Sequence, residues 1–259
     1  MKRILLLIAL FSTTSFAVNA QITINDTDLF AIGFVVEQAL DTLPVGISIG
    51  SGGGAQTWDF SSLSPDVIDT TSFVDPSTLP GSSNFPSSNI GRVDAGNSDY
   101  SIFITKNSSV LSLDGVYINL APFFVREINE TLLTFPSTMG TTFAESTNAF
   151  LYGYPVGVDP DGPTGPLPYI DSVKITLTTN ANSMIDAWGD VTSPFGTFTS
   201  LRQIITKEAI DSTFTKVGGV WGLMTPPEAV ALGLGNSVEY DTTRTARWWT
   251  DTRPLNLTF

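Results

Sequence analysis

The chain of 259 residues contains no histidine and no cysteine and carries a formal net charge of -13. These absences exclude disulfides, thiol nucleophiles, Ser-His-Asp triads and zinc sites built from the usual nitrogen and sulfur ligands. So acidic a surface repels phosphate backbones, which excludes nucleic acid as a partner.

Residues 1–20 place Lys2 and Arg3 before an apolar run at 4–11 and close on Val18-Asn19-Ala20. That order reads as a signal peptide cleaved before Gln21. The apolar run is shorter than the ~20 residues a helix needs to cross a bilayer, and no later run reaches that length, so no transmembrane helix is expected. Removing Lys2 and Arg3 takes the net charge from -13 to -15. The remaining 21–259 region is long enough to bury a core without disulfides and is expected outside the cytoplasm.

Beyond the leader, short β-prone runs alternate with Gly, Pro, Asn, Asp and Ser clusters, and helical periodicity is scarce. Strands are predicted at 29–38, 67–74, 100–105, 110–113, 124–135, 142–152, 173–179, 183–191, 197–207, 212–217 and 238–249. In one of them, Val173, Ile175 and Leu177 alternate with Lys174, Thr176 and Thr178, as a half-buried strand requires. The 50–55 run has the letters of a dinucleotide fingerprint, but strand-like residues follow it where a helix is needed. It is read as a flexible glycine turn. Ser193-Pro194-Phe195-Gly196 predicts a hairpin turn joining the strand of Trp188 to that of Leu201. Thr225-Pro226-Pro227-Glu228 is a capping box with proline at the first helical position, which predicts one short helix near 226–232 ending at Gly233 or Gly235. The expected fold is all-β, a β-sandwich or jelly-roll-like structure. Stretches 76–98 and 155–168 read either as surface loops of one domain or as a linker, so the region is one domain or two joined near 155–168.

With imidazole and thiol excluded, hydrolysis would need paired carboxylates, for which Glu127, Glu130, Glu145, Glu208 and Glu239 lie in strand-like runs. Each also suits a solvated strand face. Asp159 and Asp161 precede Gly162 as in the start of a calcium loop, with Asp171 able to approach from the next strand. An ordinary Asp-Gly turn is the competing reading, and no other cofactor is implied. Trp248 and Trp249 are adjacent on a strand and must point to opposite faces. Unless both faces are buried, one ring is exposed as a platform for a glycan or another envelope protein. Alternating Leu255, Leu257 and Phe259 have the look of an outer-membrane barrel strand, with which Pro254 and the long loops fit poorly.

The 186–202 segment, DAWGDVTSPFGTFTSLR, resembles a hairpin signature of secreted Bacteroidetes proteins of unknown function, and 56–63, QTWDFSSL, resembles a second block of that group. The resemblance implies export and a β-rich fold. Members often carry a C-terminal sorting domain for type IX secretion. The chain reaches Phe259 without one, so the expected location is secreted or cell-surface, with the periplasm as the alternative. The resemblance also implies glycosylation of Asp-(Ser/Thr)-apolar or Asp-(Ser/Thr)-Thr triplets, which here centre on Thr42, Thr70, Ser172, Ser212 and Thr242. The expected role is a non-enzymatic structural or binding module. The alternative is a carbohydrate-binding or carbohydrate-processing protein using exposed tryptophan and paired carboxylates.

Overall fold

A computed structural model describes residues 21–44, 46–119, 124–160, 165, 167–252 and 257–258. The predicted leader, Asp161, Leu255 and Phe259 lie outside these residues. Among the described residues the fold is all-β, with two sheets and one α-helix. The first sheet contains β1 (Val35–Leu40), β3 (Val67–Val74), β4 (Ile90–Asp94), β5 (Asn97–Lys106), β6 (Val110–Ile118) and β7 (Phe124–Thr134). All its pairings are antiparallel, in the spatial order β1-β3-β4-β5-β6-β7. The second sheet contains β2 (Gly53–Asp59), β8 (Thr142–Val158), β9 (Ile170–Ser193), β10 (Gly196–Val217), β11 (Val220–Leu223), β12 (Val238–Trp249) and β13 (Leu257–Thr258). Its path is β13-β12-β10-β9-β2, with β8 also on β9 and β11 also on β10; β2 runs parallel to β9.

The strands predicted at 67–74 and 238–249 coincide with β3 and β12. The predicted pair 173–179 and 183–191 is one strand of 24 residues, and 197–207 with 212–217 is one of 22. Polar runs such as Thr178-Thr179-Asn180 interrupt the apolar pattern without interrupting the backbone ladder, because the ladder is made by N–H and C=O groups that every residue here supplies. The predicted hairpin forms: Ser193 pairs with Gly196 around Pro194-Phe195, and Leu201 lies directly opposite Trp188. Of the stretch predicted as loop or linker at 155–168, residues 155–158 belong to β8, and the chain then leads to β9, its neighbour in the same sheet.

The helix α1 (Pro226–Leu232) begins and ends as its sequence predicts. Thr225 donates its N–H to Glu228 Oε2 at 2.6 Å and its hydroxyl to the same oxygen at 2.8 Å, closing the first turn. Gly233 adopts the left-handed conformation that stops the helix. By contrast, the strand predicted at 29–38 starts only at Val35. Leu29 and Phe30 are buried as loop residues behind a 3-10 turn, with Phe30 stacked on Phe73 at 3.9 Å between ring centroids.

Two buried clusters lie on opposite faces of the second sheet. In one, Ile185, Leu201 and Trp249 meet Phe73, Ile104, Leu111 and Leu133 of the first sheet. In the other, Ala187, Val191, Ile204, Ala246 and Trp248 are covered by Trp58, Phe60, Ile47, Ile49 and Leu63. The second sheet is therefore covered on both faces at this end of the molecule. The first sheet covers one side, and the segments flanking the edge strand β2, through Ile47, Ile49, Phe60 and Leu63 together with the Trp58 ring of β2 itself, cover the other.

Candidate functional site

This cover on both faces decides the fate of the tandem tryptophans. Trp248 is 1% exposed and Trp249 is 3% exposed, so the expected solvent-facing ring is absent and the platform placed on these residues is corrected. Successive side chains do point to opposite faces, but both faces are covered. Trp248 packs edge-on against Trp58 and Phe60, at 5.6 and 5.1 Å between centroids. Trp249 donates its indole N–H to Gln203 Oε1 at 2.8 Å, and Gln203 Nε2 donates to the Leu132 carbonyl, tying the two sheets together.

The 56–63 and 186–202 segments converge on this same region. Arg202 is 1% exposed and forms a two-point ion pair with Asp186, its Nε and Nη2 donating at 2.9 and 2.8 Å. Asp186 reaches it because a register shift between Arg202 and Gln203 leaves this residue outside the one-to-one pairing of β9 with β10. The remaining Nη1 donates to the carbonyls of Ile49 and Gly50, and the guanidinium lies 5.4 Å from the Trp58 ring. Trp58 in turn donates Nε1 to the Ile49 carbonyl at 3.0 Å. The glycine run read as a flexible turn is instead close packing. A Cβ at Gly52 would lie 3.0 Å from Asp186 Oδ2, and one at Gly54 would lie 2.6 Å from Trp188 Nε1. At Gly189 a Cβ would fall 1.9 Å from the Gln56 carbonyl oxygen, so only glycine lets β2 dock beside β9. Trp58, Asp186 and Arg202 thus serve as internal struts, while Asp59 and Asp190 of the same segments are exposed.

Solvent-facing chemistry lies further along the same sheet. Strand register aligns Ser172, Lys216 and Trp221 in one cross-strand row, Lys174, Phe214 and Leu223 in the next, and Thr178, Ile210 and Tyr240 in another. Because cross-strand partners share a face, these rows form one surface. Its opposite face holds the buried Val173 and Thr215. Lys174 Nζ sits 4.9 Å from the Phe214 centroid and 4.8 Å from that of Trp221, with no ion-pair partner among the described residues. Trp221 is 37% exposed and Tyr240 is 78% exposed. The β10–β11 hairpin that presents Trp221 was missed in the sequence. Its signal was Gly218-Gly219, a two-residue loop with φ of +56° and +82° at both positions, the pattern of a type I′ turn.

The candidate carboxylates are dispersed. Glu130 pairs with Lys207 at 2.6 Å across the two sheets, and Glu145 accepts the Thr131 N–H at 2.7 Å. Burial pushes the nearby Arg247 below its ordinary value, an effect that the charge of Glu130 opposes. Glu127, Glu208 and Glu239 are exposed. Asp159 is exposed just after β8, Asp171 lies within β9, and Asp161 is outside the described residues. Among the described residues no three acidic side chains are grouped to hold a metal. Of the triplet hydroxyls, Thr42 is on an exposed loop and Thr242 is exposed on β12, whereas Thr70, Ser172 and Ser212 are half-buried within paired strands. An open groove of about 500 Å³ is lined by Ile32, Asp75, Ser82, Phe85, Ser88 and Asn89. Part of its polar lining is engaged internally: Asp75 accepts the Ser77 N–H, Ser88 donates to Asp114, and Asn89 bonds the Lys106 backbone.

Comparison of the chain with family models, curated proteins and solved structures finds no match.

Proposed function

We propose that this chain is a non-enzymatic structural or binding module of the cell envelope or extracellular space, and that the outer face of β9, β10, β11 and β12 is its contact surface. The observation that carries the reading is the division of labour among aromatic residues. Trp58, Trp248 and Trp249 are buried as packing, while Trp221 and Tyr240 stand on a solvated sheet face. Flat, rigid aromatic surfaces give contact area at little entropic cost. The leader at 1–20 supports export, and the resemblance of 56–63 and 186–202 to secreted Bacteroidetes proteins supports the surface or extracellular compartment, with the periplasm as the alternative. Thr42 and Thr242 are the triplet sites whose exposure suits glycosylation. Native protein whose intact mass equals that of bare residues 21–259 would refute that modification.

Trp221 favours a second reading, carbohydrate binding, since an exposed indole gives a sugar ring an apolar face. A glycan array separates the two. A contact module for another envelope protein is expected to bind no glycan, whereas the carbohydrate reading expects binding that Trp221→Ala abolishes with the fold intact. Processing of the bound sugar would further require turnover that a single Glu→Gln change removes.

A further inference from the structure

Strand β1 is an open edge. Among the described residues it pairs with β3 alone, in an unbroken antiparallel register from Val35 opposite Ser72 to Leu40 opposite Val67. The Thr70 carbonyl accepts the Ala95 N–H, so Thr70 directs its backbone groups towards β4. Its β1 partner Glu37, and with it Val35 and Ala39, therefore turns N–H and C=O outward from the sheet. Other edges carry protection. Strand β12 has Glu239, Asp241 and Arg244 exposed along it, and β8 has two register shifts and Pro155. Strand β1, with the sequence VVEQAL, has no lysine, proline or bulge, the usual devices against edge pairing. Exposed apolar side chains flank it: Val35 at 61%, Leu40 at 56% and Ile68 at 68%.

We infer that β1 pairs with β1 of a second copy of this chain, joining two six-stranded sheets into one across a two-fold axis. The backbone dictates the parity of the register, and the side chains choose within it. Outward-facing groups must meet outward-facing groups, so odd-numbered residues pair with odd-numbered ones. Centring the axis on Glu37 would set two carboxylates opposite each other, which is unfavourable. Centring it on Gln38 places Glu37 opposite Ala39 and Val36 opposite Leu40. Two Gln38 amides then meet on the axis. Gln38 Oε1 accepts a hydrogen bond of 3.4 Å from Arg92 Nη2 of its own sheet, and the amide keeps a second lone pair and its N–H donors, so it still complements its own copy. This self-complementarity of a segment with one central charge selects a second copy over an unrelated strand.

The register makes the test specific. The chain lacks cysteine, so Gln38→Cys in residues 21–259 introduces a single thiol on the proposed axis. It is expected to give a disulfide dimer under mild oxidation, while Asp99→Cys, on an exposed position of another strand, is not. Sedimentation equilibrium should show a monomer–dimer equilibrium. Ala39→Glu, which faces Glu37 of the second copy twice, should weaken it about tenfold, and Ala39→Lys should tighten it. Circular dichroism establishes that each variant is folded. A monomer at all concentrations up to ~1 mM overturns the inference. So does a dimer indifferent to both Ala39 changes, or one that Gln38→Cys fails to cross-link. Glycan binding at Trp221 is read separately and bears on none of these outcomes.

Discussion

Arg202 illustrates how a charged residue becomes part of a core. Its guanidinium has donors for Asp186 and for the Ile49 and Gly50 carbonyls and packs near Trp58, so its charge and most of its hydrogen-bonding capacity are matched inside the protein. Replacing Arg202 by Met, or Asp186 by Asn, strands the remaining partner away from water. A loss of about 3–5 kcal/mol is expected in urea unfolding for Asp186→Asn, whose partner keeps its charge. Lysine at 202 offers a point charge in place of a planar fork and should not restore stability. Trp248→Ala removes an indole packed against two rings and should cost about 3–5 kcal/mol. These residues were recognisable in the sequence as unusual. Their burial was not, because a local pattern of Asp, Trp and Arg looks the same whether the segment faces water or a covering layer.

At the scale of elements, turns and caps were the most legible features, since their residues act through their own backbones. The capping box of α1 follows from four residues in a row, and Thr225→Ala should lower stability by about 1 kcal/mol, read as a shift in thermal midpoint. Two carboxylates hold 3-10 and loop turns in the same local way. Hydrogen bonds from Ser61 to Asp59 and from Ser77 to Asp75 hold both groups below the ordinary value of 3.8. A depressed carboxylate stabilises the fold above its unfolded value and loses that contribution as pH falls through the folded one. Thermal midpoints should therefore drop below about pH 3.8, and Asp75→Asn should flatten part of the drop. The length of β9 and β10 was less legible. Apolar alternation marks only the stretches that touch a core, and the polar middle of each strand is continuous through hydrogen bonding with its neighbours. The β10–β11 hairpin shows the reverse: Gly218-Gly219 announced a turn, yet four residues of β11 are too few for periodicity to register.

The whole molecule sorts its five tryptophans by layer. Where the first sheet covers one face of the second sheet and the segments flanking its own strand β2 cover the other, both faces are dry; further along, one face meets solvent. Acrylamide quenching tests this arrangement. Trp221→Phe should remove most of the quencher-accessible emission, whereas Trp248→Phe and Trp249→Phe should leave the accessible component unchanged. The contact surface centred on Trp221 and the edge at β1 belong to different sheets. Mutations at one are expected to leave the other unaffected, as distant sites contribute independently.

Composition and patterning alone set which side chains are on hand and the class of the fold. Missing side chains cannot be supplied by folding, and twofold patterning with frequent turn residues admits only β-layers. Only the tertiary structure decided which residues face outward. Each strand presents two faces, and whether a face is dry depends on a segment far away in the chain. The 47–63 segment covering Trp248 lies almost two hundred residues before it, and no local pattern records that it is there.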